Sequence, residues 1–300
     1  MQTSIDVKWI SHLGVTWDLM RGTEGVTLTS GLESLMLPTF TPKTTRTARA
    51  PGRRFHGIDL EEFSAQLGVT VADTWVSRPD GSFRRGAQWL GLDAAFRESF
   101  SPTEPGTLQI TSPSGTRRYI GRLEDIEAES MSPMPDVRGR QSYDISLGAE
   151  MPLYFGDVVA QDFPFVESTA ENYYGPTNLA PPFYISAGNA AGNAQVLNPG
   201  HVETWPTWII DGPGQAIVGV GNHMTHVPAL GAGQRLVIVT DPHRTSVTDE
   251  GGNRAWDRME LYDFAPIPVG DQVPVSVHII GGGPGANIRL ELTPLYLGPY

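Results

Sequence analysis

Cysteine is absent from all 300 residues. Disulfides, thiolate-held zinc, iron–sulfur clusters and thiol catalysis are therefore excluded, and redox chemistry says nothing about compartment. Long apolar runs are missing too. Nothing approaches the ~18 consecutive apolar residues of a helical membrane span, so no membrane partner is expected. The start of the chain carries Asp6, Lys8, His12 and Asp18 and lacks an apolar signal core, so no secretory leader is expected. Positive charge is scarce in one half. Residues 1 to 150 hold 16 Lys and Arg against 19 Asp and Glu, and residues 151 to 300 hold 5 against 14. The halves are thus −3 and −9, which sum to the net −12. No Lys or Arg occurs between Arg140 and Arg235. That argues against the second half gripping nucleic acid through its phosphates. Motifs with mechanical meaning are also missing: no G-x-S-x-G, no H-E-x-x-H and no P-loop.

What is present is turn chemistry and short alternation. Gly and Pro number 34 and 25, above average usage yet below the range of disordered chains. With 39% hydrophobic residues the chain can bury a core, and its length suits two domains. The expected fold is mostly β: a β-rich first domain over 1–155 with one or two short helices, then an antiparallel β-sandwich over 156–300. In the first half Ile5, Val7 and Trp9 alternate with Asp6 and Lys8, and Tyr143, Ile145 and Leu147 alternate with Ser142, Asp144 and Ser146. Asp59 to Gly68 reads as a short helix, with Asp59 as cap and Leu60, Phe63 and Leu67 on one face. Gln88 to Phe100 is the clearest helix, with Trp89, Leu92, Phe96 and Phe100 at three- and four-residue spacing. Thr107 to Leu123 reads as a hairpin around Ser112-Pro113-Ser114-Gly115. Residues 156 to 195 are loop-rich in composition.

The most legible stretch is 198–214. Asn198-Pro199-Gly200 is a turn by residue type, and an extended run follows with Val202, Thr204, Trp208 and Ile210 on one parity. Pro206 would make this an edge strand or a bulge. Ala216 to Val220 follows at once, so the pair reads as a hairpin or meander. Near the end, Val273 to Ile280 and Ile288 to Thr293 both alternate, and Gly281 to Gly285 would join them as a second hairpin.

Residues 38 to 54 stand apart. They hold Lys43, Arg46, Arg49, Arg53 and Arg54 with no acidic residue among them. The stretch reads as an exposed arm or long loop. Five cations without a matching acid repel one another, which favours docking on an acidic neighbouring subunit. No aromatic platform interleaves them, which weighs against a nucleic-acid patch.

The order of these features resembles the distal tail protein family, the minor tail proteins of long, non-contractile-tailed bacteriophages. The resemblance begins in Asn198-Pro199-Gly200, Thr204-Trp205-Pro206 and Ile210-Asp211-Gly212-Pro213. It continues in the first half with Trp17-Asp18-Leu19, Pro51-Gly52, the stretch from Thr107 to Gly115, and Glu150-Met151-Pro152-Leu153-Tyr154. The second half adds Gly233 to Asp241, Asn253 to Arg258, and Pro266 to Gly270. Together these span nearly the whole chain, and their joint order is more specific than any one string. The resemblance implies a virion protein of the tail tip and a galectin-like second domain. It also implies a homohexameric ring formed by the first domain. Its partners would be the tail tube protein and the tail-associated hub protein, and DNA would pass the lumen without specific binding.

Chemistry finds little support beside that reading. His223 and His226 lack a third ligand at a set spacing. Asp249, Glu250, Asp257, Glu260 and Asp263 offer oxygens of the kind calcium prefers, but not in EF-hand order. No catalytic, cofactor-binding or metal residue is assigned. Carbohydrate binding is the alternative function, through stacking on Trp205, Trp208 and Trp256. Parity puts Trp205 and Trp208 on opposite faces, so at least one should lie in the core.

Overall fold

The computed structural model describes residues 5–31, 36–48, 51–61, 63–72, 76–77, 83–84, 89–129, 139–165 and 192–300. Most of the loop-rich stretch 156–195 lies outside the described residues. By internal contacts the chain divides into two compact units. The first is Met1–Asp157 with Tyr296–Tyr300, and the second is Val158–Leu295.

The first unit is built from β1 (Asp6–Ile10), β2 (Thr16–Asp18), β3 (Val26–Ser30), β4 (Phe40–Thr45), β5 (Arg54–Leu60), β6 (Ser64–Ala72), β7 (Val76–Ser77) and β8 (Phe83–Arg84). Helix α1 (Trp89–Glu98), β9 (Gly106–Ser112), β10 (Gly115–Ala128), β11 (Arg140–Gly148) and β12 (Tyr154–Phe155) complete it. Its main sheet runs β2-β1-β9-β10-β11-β6-β3, all antiparallel. The alternation read from the sequence places the core: Val7 and Trp9 of β1, and Tyr143, Ile145 and Leu147 of β11, are buried on one face. Pro113 and Ser114 close the β9–β10 hairpin, with Ser112 paired to Gly115 and Gly115 at φ +126°. That positive φ is why glycine ends this turn.

Helix α1 covers the core. Trp9 stacks on Phe100 with centroids 4.6 Å apart, and Trp17 meets Phe96 edge-on at 5.4 Å. Such pairs add ~0.5–1.5 kcal/mol beyond the area they bury. Polar pins fix the orientation. Trp89 Nε1 donates to Val71 O at 3.3 Å, Trp9 Nε1 to Ser99 O at 3.2 Å, and the Tyr143 hydroxyl to buried Asp93 at 2.5 Å. Asp93 also holds Arg97 one turn on, at 2.9 Å.

The helix expected over Asp59 to Gly68 does not form. Leu60 ends β5, and residues from Ser64 onward are β6. Leu60, Phe63 and Leu67 do fit helical spacing, but Ala65, Leu67, Val69 and Val71 also alternate, and that second pattern is the buried one. Strand β6 pairs with β11 on one side and β3 on the other. Pairing along two edges, with β-branched residues from Val69 to Val71, outweighs a weak local helical preference.

The second unit comprises β13 (Val159–Pro164), β14 (Gly192–Leu197), β15 (Thr207–Asp211), β16 (Gly214–Val220), β17 (His223–Leu230), β18 (Arg235–Val239) and β19 (Ser246–Asp249). Strands β20 (Gln272–Ile280), β21 (Asn287–Leu292) and β22 (Leu295–Tyr296) follow, the last lying at the unit boundary. Two antiparallel sheets, β13-β21-β15-β18-β19 and β14-β20-β16-β17, share one core. This is the expected sandwich, but two expected hairpins are absent. β15 and β16 lie in different sheets, and so do β20 and β21. Alternation reports that one side of a strand is buried, and both sheets of a sandwich present such a side. A Gly-rich connection can fold back or step ~10 Å to the facing sheet, and the local pattern is the same. Pro206 also does not mark an edge. β15 starts at the next residue and pairs on both sides, which a strand can do once the residue lacking an N–H is left outside it.

Candidate subunit interface

The cationic stretch is a two-stranded ribbon rather than a loop. β4 pairs with β5 in register from Phe40↔Leu60 through Lys43↔Gly57, then shifts by one residue to Thr44↔Phe55 and Thr45↔Arg54. Residues directly opposite share a face. Phe40, Leu60, Pro42, Ile58, Thr44 and Phe55 therefore form one face, and Thr41, Asp59, Lys43, Thr45 and Arg54 the other. The ribbon is amphipathic. Most of its polar face is paired within the ribbon and its flank: Lys43 Nζ lies 2.5 Å from Asp59, Thr41 bonds to Glu61, and Thr45 meets His56 at 2.6 Å. Its apolar face is open to solvent, with Phe55 63%, Phe40 44% and Ile58 41% exposed.

This corrects the expectation in one respect. Lys43 is not without an acid; Asp59, five residues beyond the arm as read from sequence, neutralises it across the ribbon. Arg46, Arg53 and Arg54 are exposed at the distal end, and among the described residues none has an ion-pair partner. Arg49 lies outside the described residues. Sequence reasoning saw the charges and missed the apolar face. The signal was there in Phe40, Pro42, Phe55 and Ile58, but the one-residue shift at His56 breaks the simple alternation of β5.

The tryptophans proposed for sugar stacking separate. Trp208 is only 2% exposed and sits in the core between the sheets, so it is no stacking platform. Its parity with Thr204 and Ile210, both buried, decides this. Trp205 is half-buried on the opposite parity. Trp256 is also half-buried, in a single 3₁₀ turn, edge-on to Tyr262 at 5.5 Å, and Tyr262 in turn stacks on Phe264 at 5.8 Å. Three of the residues weighed for metal, Asp249, His223 and Asp263, are engaged with other groups. Asp249 accepts backbone N–H bonds from Gly251 at 2.9 Å and Asn253 at 2.8 Å, which hold its carboxyl below the usual range, the Asn253 bond most of all. His223 Nδ1 meets Asp263 at 2.9 Å. Among the described residues no group of three or more His, Asp or Glu is placed to hold a metal ion.

The final residues make a polar anchor within the first unit. Arg117 is 8% exposed, lies over the Tyr296 ring at 4.0 Å, and donates from Nη1 to Gly298 O at 2.7 Å. Burial lowers its pKa, and the ring and carbonyl stand in for lost water.

No protein-family model matches the sequence, and no curated protein does. Solved structures do match, over the full length. The crystal structure of the SPP1 Dit protein, a paradigm of the hub adsorption apparatus of phages infecting Gram-positive hosts, aligns at TM-score 0.59 and 12% identity. The alignment covers 98% of this chain and 100% of that one. The two chains share one fold. A chain of the phage P2 baseplate in its activated conformation with calcium aligns at TM-score 0.55 and 10% identity, covering 97% and 98%. The same baseplate with strontium gives 0.52 and 10%, covering 96% and 98%. The likeness to SPP1 Dit covers residues of both units, so it is not confined to one common sandwich.

Proposed function

We propose that this chain is a structural protein of a phage tail tip, assembling into a ring, most simply of six copies. The observation that carries the reading is the end-to-end likeness to SPP1 Dit, covering 98% of this chain. The motif order in the sequence supports it independently. In this reading the first unit forms the ring and the second is a galectin-like sandwich. The ring joins the tail tube protein to the tail-associated hub protein, and DNA passes its lumen. The net −12 of the chain suits a wall that does not bind DNA.

The β4–β5 ribbon is the assembly element. An isolated two-stranded ribbon is marginal in water, and this one leaves three large apolar side chains open along one face. A neighbouring copy covering that face stabilises both the ribbon and the ring. Head-to-tail contacts of this type close when the rotation permits. Electron microscopy of the purified protein tests the reading: closed six-fold rings are expected. A chain that stays monomeric at every concentration, alone and mixed with tail tubes, would overturn it.

A second reading has one observation behind it. Tyr262 is 57% exposed and belongs to a run of packed aromatic rings with Trp256 and Phe264. Such rings stack on sugar faces, so contact with host-surface carbohydrate is the alternative role. A glycan array separates the two, and loss of any signal in Tyr262→Ala would assign it to this surface.

A further inference from the structure

The four strands of one sheet of the second unit, β14, β20, β16 and β17, hold no Asp, Glu, Lys or Arg, and no Phe, Trp or Tyr. The five strands of the facing sheet hold Asp162, Asp211, Arg235, Asp249, Arg289 and Glu291. Alternate residues of both sheets point into the shared core, so the difference lies in the outward ones. On the charged sheet these pair as on a solvated face: Arg235 Nε lies 2.6 Å from Asp211, and Arg289 Nη1 lies 3.6 Å from Asp162. On the other sheet, register lines up His278, Ile217 and His226 across three strands. Leu261 extends that row, its carbonyl accepting from His226 N at 2.8 Å. The next row is Ser276, Gly219 and Met224. The margins are open and apolar, with Leu197 47%, Ile280 43% and Leu261 54% exposed.

Strands without a single carboxylate, lysine or arginine are out of keeping with a half-chain of 14 acidic and 5 basic residues. Depletion of charge is the compositional mark of a protein interface core. The same observation sorts the possible occupants. Nucleic acid and other anions need cations, a cationic partner needs carboxylates, and these strands supply neither. Sugar stacking needs aromatic rings, and the strands have none. What fits is an uncharged, aliphatic protein surface, and a second copy presents one. We infer that two copies pair through this face, with Ile217 near a two-fold axis. Each copy carries net −12, so two copies approach with least repulsion where both are free of carboxylates. A two-fold contact is self-complementary and needs no separate partner surface. Four strands ~4.8 Å apart, with about six residues each rising ~3.3 Å, present roughly 400 Å² in outline. That is small beside the about 800 Å² per partner of a standard interface, so the pairing is reversible and concentration-dependent. It does not rest on the ring reading. A ring relates its copies by one rotation axis, whereas this contact joins two free copies or copies of two rings.

The chain has no cysteine, so one introduced thiol reports on one position. In the full-length protein, Ile217→Cys treated with a short bis-maleimide should give covalent dimers, in a yield that rises with protein concentration. Ile209→Cys, on the outward side of the charged sheet between Val237 and Arg289, should give little. Equal yields from the two thiols would overturn the proposal, because a face that meets a different protein, or nothing, does not bring Ile217 to its own counterpart. Ile217→Glu should weaken pairing at least about tenfold in sedimentation velocity, since two carboxylates then meet at the axis. Circular dichroism confirms that this variant folds. If it folds and pairs as the native chain does, the face is wrongly assigned. Electron microscopy of the same samples separates the two readings. Rings that persist in Ile217→Glu while pairs are lost show two distinct contacts, and a native chain that pairs through Ile217 but never closes a ring removes the ring reading alone.

Discussion

Three tyrosine hydroxyls carry a pH dependence that can be worked out in advance. Tyr119 donates to Phe63 O at 2.7 Å and to Leu147 O at 3.0 Å, and Tyr143 donates to Asp93. Burial is the main cause that raises the pKa of Tyr119, Tyr143 and Tyr154 well above the ordinary tyrosine value, and Asp93 adds to it at Tyr143. A raised folded-state pKa means that the unfolded chain loses its protons first. Stability is therefore fully present below about pH 10 and falls as pH rises beyond it, by up to ~1.4 kcal/mol per pH unit for each tyrosine. Denaturant melts between pH 8 and 11.5 should show that decline, and a Tyr119→Phe variant should show a shallower one. An identical slope would mean that the Tyr119 hydroxyl is hydrated. Gly106 makes a second residue-scale case. A Cβ there would lie 2.2 Å from Trp9 Cζ2, and Trp9 is fixed by its stack on Phe100. Gly106→Ala should cost ~1–3 kcal/mol by overpacking, read as a lower midpoint in urea with an unchanged slope.

Among elements, the ribbon separates assembly from stability most cleanly. Its apolar face touches no core, since Phe40, Phe55 and Ile58 all lie outside the buried cluster of the first unit. Replacing Phe40, Phe55 and Ile58 together with Ser should leave the thermal midpoint of the dissociated protein nearly unchanged. The same variant should lose the ring in sedimentation. A large fall in the midpoint would show that the ribbon packs on its own copy. Salt should weaken assembly only in part, because exposed ion pairs contribute ~0.2–1 kcal/mol each while apolar burial is not screened. Helix α1 behaves in the opposite way. Its Trp89, Asp93 and Phe96 are buried, so its contribution is to the core of its own unit.

At the scale of the whole molecule the chain leaves one unit at Asp157 and returns to it at Tyr296. The second unit is therefore an insertion between Asp157 and the closing residues. Among the described residues its 20 buried core side chains come mostly from the two sheets, and each buried Val, Leu or Ile stabilises by ~1.5–3 kcal/mol against exposure. A fragment spanning 157–295 should fold alone, with strand-type circular dichroism and one cooperative thermal transition. Starting such a fragment at 165 removes β13, an edge strand paired with β21 from Val159↔Leu292 to Pro164↔Asn287, and should lower its midpoint. If the longer fragment shows no cooperative transition, the second unit depends on the first.

How much of this was legible depends on the range of the forces involved. Period-two burial in β1, β11, β20 and β21, the turn at Ser112 to Gly115, and the helix from Trp89 are written in neighbouring residues. Side-chain direction alternates along any strand, and turn chemistry is local, so the sequence by itself determined which residues face a core and that the fold is mostly β. Partner choice is not local. That β15 leads across to the facing sheet, that β6 is a strand, and that Asp59 quenches Lys43 all depend on which edge meets which. Pairing on two edges outweighs helical spacing at Leu60 to Leu67. The ribbon's apolar face and the row from His278 to Leu261 exist only once register is set, because a one-residue shift exchanges the faces of a strand. Tertiary structure alone decided those two surfaces, and the proposed assembly rests on the first of them and the proposed pairing on the second.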